Sequence, residues 1–96
     1  MNIIELEALL RANVEKAKSD GWTLATSTFG SESKKTCCIV TAGGNPNEST
    51  ASIKKRLNVS DSQMWSLIEG FDNTRSSTNS YCFYALGAKL RKELLT

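Results

Sequence analysis

Apolar residues recur at helical spacing from residue 3 to residue 18. The side chains concerned are Ile3, Leu6, Leu9, Leu10, Val14 and Ala17. They fall on one face of a helix, and charged residues fall on the other. Gly21 follows at a position suited to the left-handed conformation that ends many helices. The pattern predicts an amphipathic helix that stops at Ser19-Asp20-Gly21.

Two segments after this helix are rich in β-branched and aromatic residues, which favour strands. The first runs from Trp22 to Phe29 and the second from Lys34 to Thr41, with a polar turn at residues 30–33 between them. This order predicts an antiparallel hairpin. Because an isolated hairpin is marginally stable in water, one of its faces is expected to lie on helices.

Three further helices are predicted after an irregular loop at residues 42–47. Ser49 or Thr50 can cap the first helix, which ends at Leu57. A turn at Asn58 and Val59 leads into the next. The full order is helix, hairpin and three helices (αββααα), an α+β fold in a single domain of residues 1–96.

The second of these helices has the strongest start signal. Ser60 and Gln63 form a capping box, and Gly70 with Asp72-Asn73 is expected to end the helix. Its apolar face consists of Met64, Leu67, Ile68 and Phe71, with Trp65 at the margin.

A final helix is predicted from Tyr81, after a polar surface loop at residues 74–80. Its apolar positions are Phe83, Leu86, Leu90 and Leu94. Gly87 inside it costs about 1 kcal/mol relative to alanine. We therefore expect Gly87 to mark a close approach to another element.

Composition and charge narrow the class of protein. The chain has 96 residues, 40% of them hydrophobic and 23% charged, as in ordinary globular domains. The net charge of +2 does not imply a polyanion as an obligatory partner. No apolar run approaches the roughly 18 residues of a membrane span. Glu5 and Glu7 stand where a secretion signal would carry cations, so a cytoplasmic protein without a membrane partner is expected.

The chain offers little for catalysis. It contains no histidine, which removes the commonest general base and the commonest metal ligand. Cys37, Cys38 and Cys82 are interpreted as reduced, small core residues. Gly43-Gly44 could present N–H groups to an anion, although no phosphate-binding motif follows it and a plain loop is favoured. No enzyme, metal site or cofactor is predicted.

Residues 51–69 have the spacing of a helix-turn-helix, in which the second helix enters the major groove of DNA. The run Leu57-Asn58-Val59-Ser60 resembles the leucine-glycine-valine-serine turn of many bacterial repressors. The DNA-contact candidates are Lys54, Lys55, Arg56, Ser62, Gln63 and Ser66. However, the second helix carries three carboxylates and no cation, the wrong sign for a phosphate surface. Two helices packed around an efficient turn is the favoured interpretation.

Trp65 lies one position off the apolar stripe, beside Gln63 and Glu69. A partly exposed tryptophan among polar residues is typical of the centre of a protein interface. Burial of Trp65 against the hairpin is the other interpretation, and it is the favoured one. Trp65, Gln63 and Glu69 are therefore the candidates for contacts with another protein.

Four short motifs are spread along the chain. They are Gly21-Trp22-Thr23, Cys38 near Ala42-Gly43, Gly70-Phe71-Asp72 and Tyr84-x-Leu86-Gly87. In this spacing the chain resembles a group of small, mostly uncharacterised bacterial proteins, some of them near phage-derived genes. Similar proteins often carry a glycine before the alanine, where this chain has Thr41. The resemblance implies a bacterial cytoplasmic accessory protein.

These observations favour an interaction or regulatory protein that binds an unidentified protein partner or a second copy of itself. DNA binding through residues 51–69 is the alternative.

Overall fold

The computed structural model describes residues 2–45, 47–75 and 80–95. Their helices and strands are α1 (Ile3–Ser19), β1 (Thr23–Leu24), β2 (Gly30–Ser31), β3 (Thr36–Cys37), α2 (Thr50–Leu57), α3 (Asp61–Asp72) and α4 (Tyr81–Leu94). The predicted α+β class is confirmed. Most of the predicted loop at 74–80 lies outside the described residues. None of the helices in the described part of the chain is long and apolar enough to cross a membrane.

Helix α1 has capping residues at both ends. The Asn2 side chain caps its first turn. At the other end Gly21 has a φ of +88°, and the N–H groups of Gly21 and Trp22 donate to the carbonyls of Lys18 and Ala17. This pair of bonds is a Schellman motif. The predicted N-terminal helix and its stop at glycine are confirmed.

Helices α2 and α3 are joined by a tight turn. Asn58 is left-handed, with a φ of 56°, and the N–H of Val59 donates to the carbonyl of Lys54 at 3.1 Å. The Ser60 hydroxyl then accepts a hydrogen bond from the N–H of Gln63, whose side chain accepts one from the N–H of Ser60. The predicted capping box is confirmed, and it fixes the start of α3 locally.

Helices α3 and α4 meet through two glycines. A Cβ atom at Gly70 would lie 2.0 Å from the carbonyl oxygen of Tyr84, and one at Gly87 would lie 2.2 Å from the carbonyl oxygen of Leu67. Each glycine therefore lies directly against the backbone of the other helix. The expectation that Gly87 marks a close approach is confirmed.

The end of α3 lies beyond Gly70, so the expectation that Gly70 helps to end the helix is wrong. The helix continues to Asp72, and Asn73 ends it with a φ of 58°. The N–H groups of Asn73 and Thr74 donate to the carbonyls of Gly70 and Glu69. Gly70 serves the contact with α4 rather than a change of chain direction.

A three-stranded sheet replaces the predicted hairpin between residues 22–29 and 34–41. Strand β3 lies in the centre, between β1 and β2. Strand β1 runs parallel to β3, whereas β2 runs antiparallel to it, with Gly30 opposite Cys37. Each strand has two residues. The predicted antiparallel pairing of the two long segments is therefore wrong, and only β2 and β3 form a hairpin.

A buried turn ends β3 earlier than the β-branched run Ile39-Val40-Thr41 predicts. The N–H of Cys38 donates to Thr41 Oγ1 at 2.8 Å, and the N–H of Ala42 donates to the carbonyl of Cys38 at 2.9 Å. These local bonds compete with strand pairing for the backbone. The run supplies core side chains instead of a strand, since Ile39 and Val40 are fully buried.

The core draws on all the helices described and on the buried turn. Its members are Leu6, Leu10, Val14, Ala17, Leu24, Cys37, Cys38, Ile39, Val40, Ala42, Ile53, Leu57, Met64, Leu67, Ile68, Phe71, Leu86 and Leu90. Cys37 and Cys38 are buried as predicted. Cys82 is exposed, so its predicted burial is wrong. It lies in the first turn of α4, one turn before the first buried residue of that helix, Leu86.

Glu7 and Arg11 of α1 form a surface network of ion pairs with Lys89 and Glu93 of α4. Arg11 lies 2.9 Å from Glu7 and 2.6 Å from Glu93, and Lys89 lies 3.1 Å from Glu7. Because the groups are accessible to solvent and salt, they are expected to contribute little to the free energy of unfolding.

Candidate functional site

A groove opens on the surface between α3 and the loop at residues 25–29. Its volume is about 190 Å³, and it is lined by Thr28, Phe29, Trp65, Ile68 and Asp72. We call it the Trp65 groove. Its helix wall consists of Trp65, Ile68 and Asp72, and its loop wall of Thr28 and Phe29. Apolar surface and one carboxylate therefore lie side by side.

Trp65 is half-buried, so it belongs both to the core and to the surface. It packs against the hydrophobic core, and its ring centroid lies 6.1 Å from that of Phe29, with 49° between the ring planes. This separation is typical of favourable aromatic pairs. The ring also lines the groove. Trp65 is held in place by the core and remains open to a ligand.

Gln63 and Glu69, predicted to contact a partner protein together with Trp65, lie in different places relative to the groove. Gln63 is part of the capping box, where its side-chain oxygen accepts a hydrogen bond from the N–H of Ser60 at 2.9 Å. It fixes the start of α3 and is not a lining residue of the groove. Glu69 is half-buried and lies one helical turn after Trp65, on the same face of α3. It therefore lies beside the end of the groove that Asp72 forms.

Hydrogen bonds from two distant parts of the chain hold the loop wall. The N–H of Ser27 donates to Asp72 Oδ1 at 2.9 Å, and Thr41 Oγ1 donates to the carbonyl of Phe29 at 2.6 Å. Ser27 has a positive φ of 62°, an uncommon conformation for a residue other than glycine. The loop is thus positioned by α3 on one side and by the buried turn after β3 on the other.

Sequence reasoning missed four of the five lining residues: Thr28, Phe29, Ile68 as a groove residue, and Asp72. The hairpin interpretation placed Phe29 at the end of a strand, far along the chain from Trp65. One local signal was present, because Phe29 is a bulky aromatic residue in an otherwise polar stretch, residues 26–33. Such a residue indicates a contact elsewhere, but not with which element.

The groove lies in a part of the chain that carries carboxylates and no cations. Residues 57–74 include three carboxylates and no lysine or arginine, and residues 23–31 include no charged side chain. Asp61 forms an ion pair with Lys54 at the start of α3. Asp72 and Glu69 carry the other two carboxylates of α3, and Arg75 follows three residues after Asp72.

Arg56, a candidate for DNA contacts, has a structural role. Its guanidinium donates to both oxygens of Glu48, at 2.9 and 3.2 Å, and to the carbonyl of Val40 at 2.6 Å. These bonds hold the pKa of the Glu48 carboxyl below its usual value, although burial acts in the opposite direction. Arg56 therefore ties α2 to the buried turn.

The other DNA-contact candidates differ in their contacts and in their burial. Lys54 pairs with Asp61 at 3.2 Å, whereas Lys55 and Ser62 are exposed. Gln63 caps α3. Ser66 is fully buried, so the expectation that it faces a DNA groove is wrong. It lies one turn before Gly70, on the face of α3 that packs against α4.

The buried thiols are poorly suited to nucleophilic chemistry. Burial raises the pKa of the Cys37 thiol, and so does the adjacent Cys38. Burial also raises the pKa of the Cys38 thiol, while the Thr41 hydroxyl, 3.4 Å from its sulfur, acts against this. A thiol with a raised pKa is protonated at neutral pH. Within residues 2–45, 47–75 and 80–95, no group of three or more cysteine, aspartate or glutamate side chains could hold a metal ion.

A smaller cavity of about 110 Å³ lies at the end of α1. It is lined by Lys16, Ala17, Asp20, Trp22, Cys37, Thr41, Gly43 and Gly44. The N–H of Gly44 donates to the carbonyl of Thr41 at 2.9 Å, so this N–H already has an acceptor. Because Lys16 and Asp20 both line the cavity, its charge does not favour an anion.

Comparisons of the chain with protein families, with curated proteins and with solved structures give no match. The resemblance to small bacterial proteins therefore stays a prediction. The geometry and the charge of the Trp65 groove are the features from which a function is inferred.

Proposed function

We propose that this protein is a non-enzymatic interaction module that binds a partner protein through the Trp65 groove. The observation that carries the proposal is the half-buried Trp65 ring, which lies 6.1 Å from Phe29 and lines the groove. Interfaces concentrate their binding free energy in a few side chains, and tryptophan is among the most frequent of these. A ring already fixed by the core also loses little conformational entropy on binding.

The size of the groove supports a protein partner. Small-molecule sites usually have volumes of roughly 300–1,000 Å³, whereas the Trp65 groove has about 190 Å³. A single bulky side chain of a partner suits this space better than a cofactor does.

The chemistry of the groove supports binding rather than catalysis. Asp72 is the one ionisable group among its lining residues, and it already accepts a hydrogen bond from the N–H of Ser27. General acid–base catalysis is usually carried by histidine or by paired groups with tuned pKa values. The sequence contains no histidine.

We also propose a bacterial or phage-like source and a cytoplasmic setting. The resemblance of the short motifs to those of small bacterial proteins supports the source. The free thiols of Cys37, Cys38 and Cys82 support a reducing compartment.

The proposal is tested by selecting binders from a random-peptide phage library on the immobilised protein. We expect enriched peptides to bind the wild type and to lose about tenfold or more in affinity for Trp65→Ala, as for other central aromatic contacts. Tyr81→Ala is the matched control, because Tyr81 is 72% exposed and lies outside the groove. Trp65→Phe is expected to restore part of the affinity.

Two results would overturn the proposal. One is a selection that enriches no binding peptide. The other is a set of enriched peptides that bind Trp65→Ala as tightly as the wild type. Fluorescence anisotropy with labelled random duplex DNA at low salt adds an independent comparison. We expect no binding, whereas binding that weakens linearly with salt on a log–log plot would report phosphate contacts and favour the DNA interpretation.

A further inference from the structure

We propose that the Trp65 groove recognises a protein segment in which a bulky apolar side chain stands next to lysine or arginine. This inference rests on the proposed function and adds the chemistry of the partner. The apolar side chain would pack between Trp65 and Phe29, and the cation would meet Asp72.

Asp72 has acceptor capacity for a cation. One of its oxygens, Oδ1, accepts the N–H of Ser27 at 2.9 Å. An ionised carboxylate has about four lone-pair sites on its two oxygens. Asp72 is half-buried at the groove, where a charge-assisted hydrogen bond is stronger than one in open solvent.

The two segments that form the walls of the groove contain no cationic side chain. The loop wall belongs to residues 23–31, which include no charged side chain. The helix wall belongs to residues 57–74, which include no lysine or arginine. Asp72 is the charged side chain among the described lining residues, so a cationic segment meets a carboxylate there and an acidic segment is repelled.

The volume limits the apolar part to one side chain. The groove volume of about 190 Å³ is below the roughly 300–1,000 Å³ of small-molecule sites, so the groove suits one bulky side chain better than several. Specificity would then come from one apolar side chain and the charge of its neighbour.

The test uses four short synthetic peptides on one scaffold. Three have a central leucine flanked by lysines, by glutamines or by glutamates, and the fourth has a central alanine flanked by lysines. Each is titrated into the full chain labelled with ¹⁵N, and the indole N–H signals are followed. Trp22 supplies an internal control, because it lines the other cavity.

We expect the lysine–leucine peptide to shift the Trp65 signal and to bind about tenfold more tightly than the glutamate–leucine peptide. Asp72→Asn keeps the acceptor for Ser27 and removes the charge. It should lower the affinity for the lysine–leucine peptide about fivefold and leave the affinity for the glutamine–leucine peptide unchanged. Asp61→Asn, which removes a charge from the same helix at its ion pair with Lys54, is the matched control and should change neither.

Several results would overturn the inference. Equal affinity for the glutamine–leucine and lysine–leucine peptides would show that the groove has no charge preference. Equal affinity for the alanine and leucine peptides would show that it has no preference for a bulky apolar side chain. If Asp61→Asn and Asp72→Asn lose equal affinity for the lysine–leucine peptide, the negative charge of α3 attracts the peptide without a specific contact at Asp72. Trp65 shifts that depend on protein concentration without peptide would identify a second copy as the occupant. If library binders depend on Trp65 while the lysine–leucine peptide fails, this inference falls and the proposed function stands.

Discussion

The two walls of the Trp65 groove are held in different ways. The helix wall belongs to α3, whose backbone touches α4 at Gly70 and Gly87 and whose inner face lies in the core. The loop wall depends on single hydrogen bonds, from Ser27 to Asp72 and from Thr41 to Phe29. Close backbone packing resists local change, whereas a loop with few polar contacts opens more readily. The helix wall is therefore expected to provide a fixed surface, and the loop wall to set how well a ligand fits.

The largest effect is expected from breaking the support of the helix wall. In Gly87→Ala the new Cβ would lie 2.2 Å from the carbonyl oxygen of Leu67, so the two helices must separate. We expect the free energy of unfolding to fall by about 3 kcal/mol, the upper part of the usual range for overpacking. Urea denaturation followed by circular dichroism measures it.

The matched control is Gly21→Ala, because no atom lies within 4 Å of a Cβ built at Gly21. Only the left-handed backbone is penalised there, at a cost of about 1 kcal/mol. A Gly87→Ala variant as stable as Gly21→Ala would show that α4 yields easily, and that the helix wall is not fixed by the glycine contact.

A smaller loss of stability is expected when the support of the loop wall is removed. Thr41→Val keeps the shape of the side chain but deprives the N–H of Cys38 of its acceptor and the carbonyl of Phe29 of its donor. Unpaired buried groups of this kind cost about 1–3 kcal/mol, and we expect about 2 kcal/mol. Peptides selected on the groove should also bind more weakly, since Phe29 is no longer held in place.

Thr41→Ser retains the hydroxyl and is expected to keep most of the peptide affinity. Thermal melts and peptide titrations of both variants, compared side by side, decide the role of this hydroxyl. Unchanged peptide affinity in Thr41→Val would mean that the loop wall is positioned by packing alone.

A still smaller loss of stability is expected at the base of the buried turn. Arg56→Ala removes the donor to the carbonyl of Val40 and the partner of Glu48, whose side chain is 11% exposed. Because the Arg56 side chain is itself 27% exposed, water replaces part of these contacts, and we expect about 1.5 kcal/mol. Lys55→Ala, at an exposed neighbour, should stay within about 0.5 kcal/mol of the wild type by the same denaturation measurement.

The smallest effect is expected far from both walls, between α1 and α4. Hydrogen bonds from Lys89 and then from Arg11 lower the pKa of Glu7 from its ordinary value of 4.5. A lowered carboxyl pKa stabilises the fold above the unfolded value, and this contribution is lost as the pH falls through the folded value. Urea midpoints should therefore differ between the wild type and Glu7→Gln at neutral pH, converge below about pH 4.5, and differ less in high salt.

The same contrast between the walls explains what the sequence could predict. The limits of α1 and the start of α3 follow from adjacent residues, such as Gly21 and the pair Ser60 and Gln63. The marginal place of Trp65 on its apolar stripe left open whether the side chain is buried or exposed, and the structure shows it half-buried. The sheet and the loop wall were not predictable in this way, because Thr41 takes the backbone of Cys38 away from a longer strand and Asp72 holds a loop far away along the chain.

The most direct measurement is the melting temperature of Trp65→Ala together with its affinity for a library-selected peptide. Because Trp65 is half-buried, its truncation should cost about 1–2 kcal/mol of stability, less than the loss for a fully buried tryptophan. For a chain of this size that corresponds to a fall in melting temperature of roughly 5–15 °C. We expect peptide affinity to fall by about tenfold or more in a variant that is still folded. A folded variant that binds the peptide as the wild type does would contradict the binding role of the groove, and a variant that does not fold would place Trp65 in the core alone.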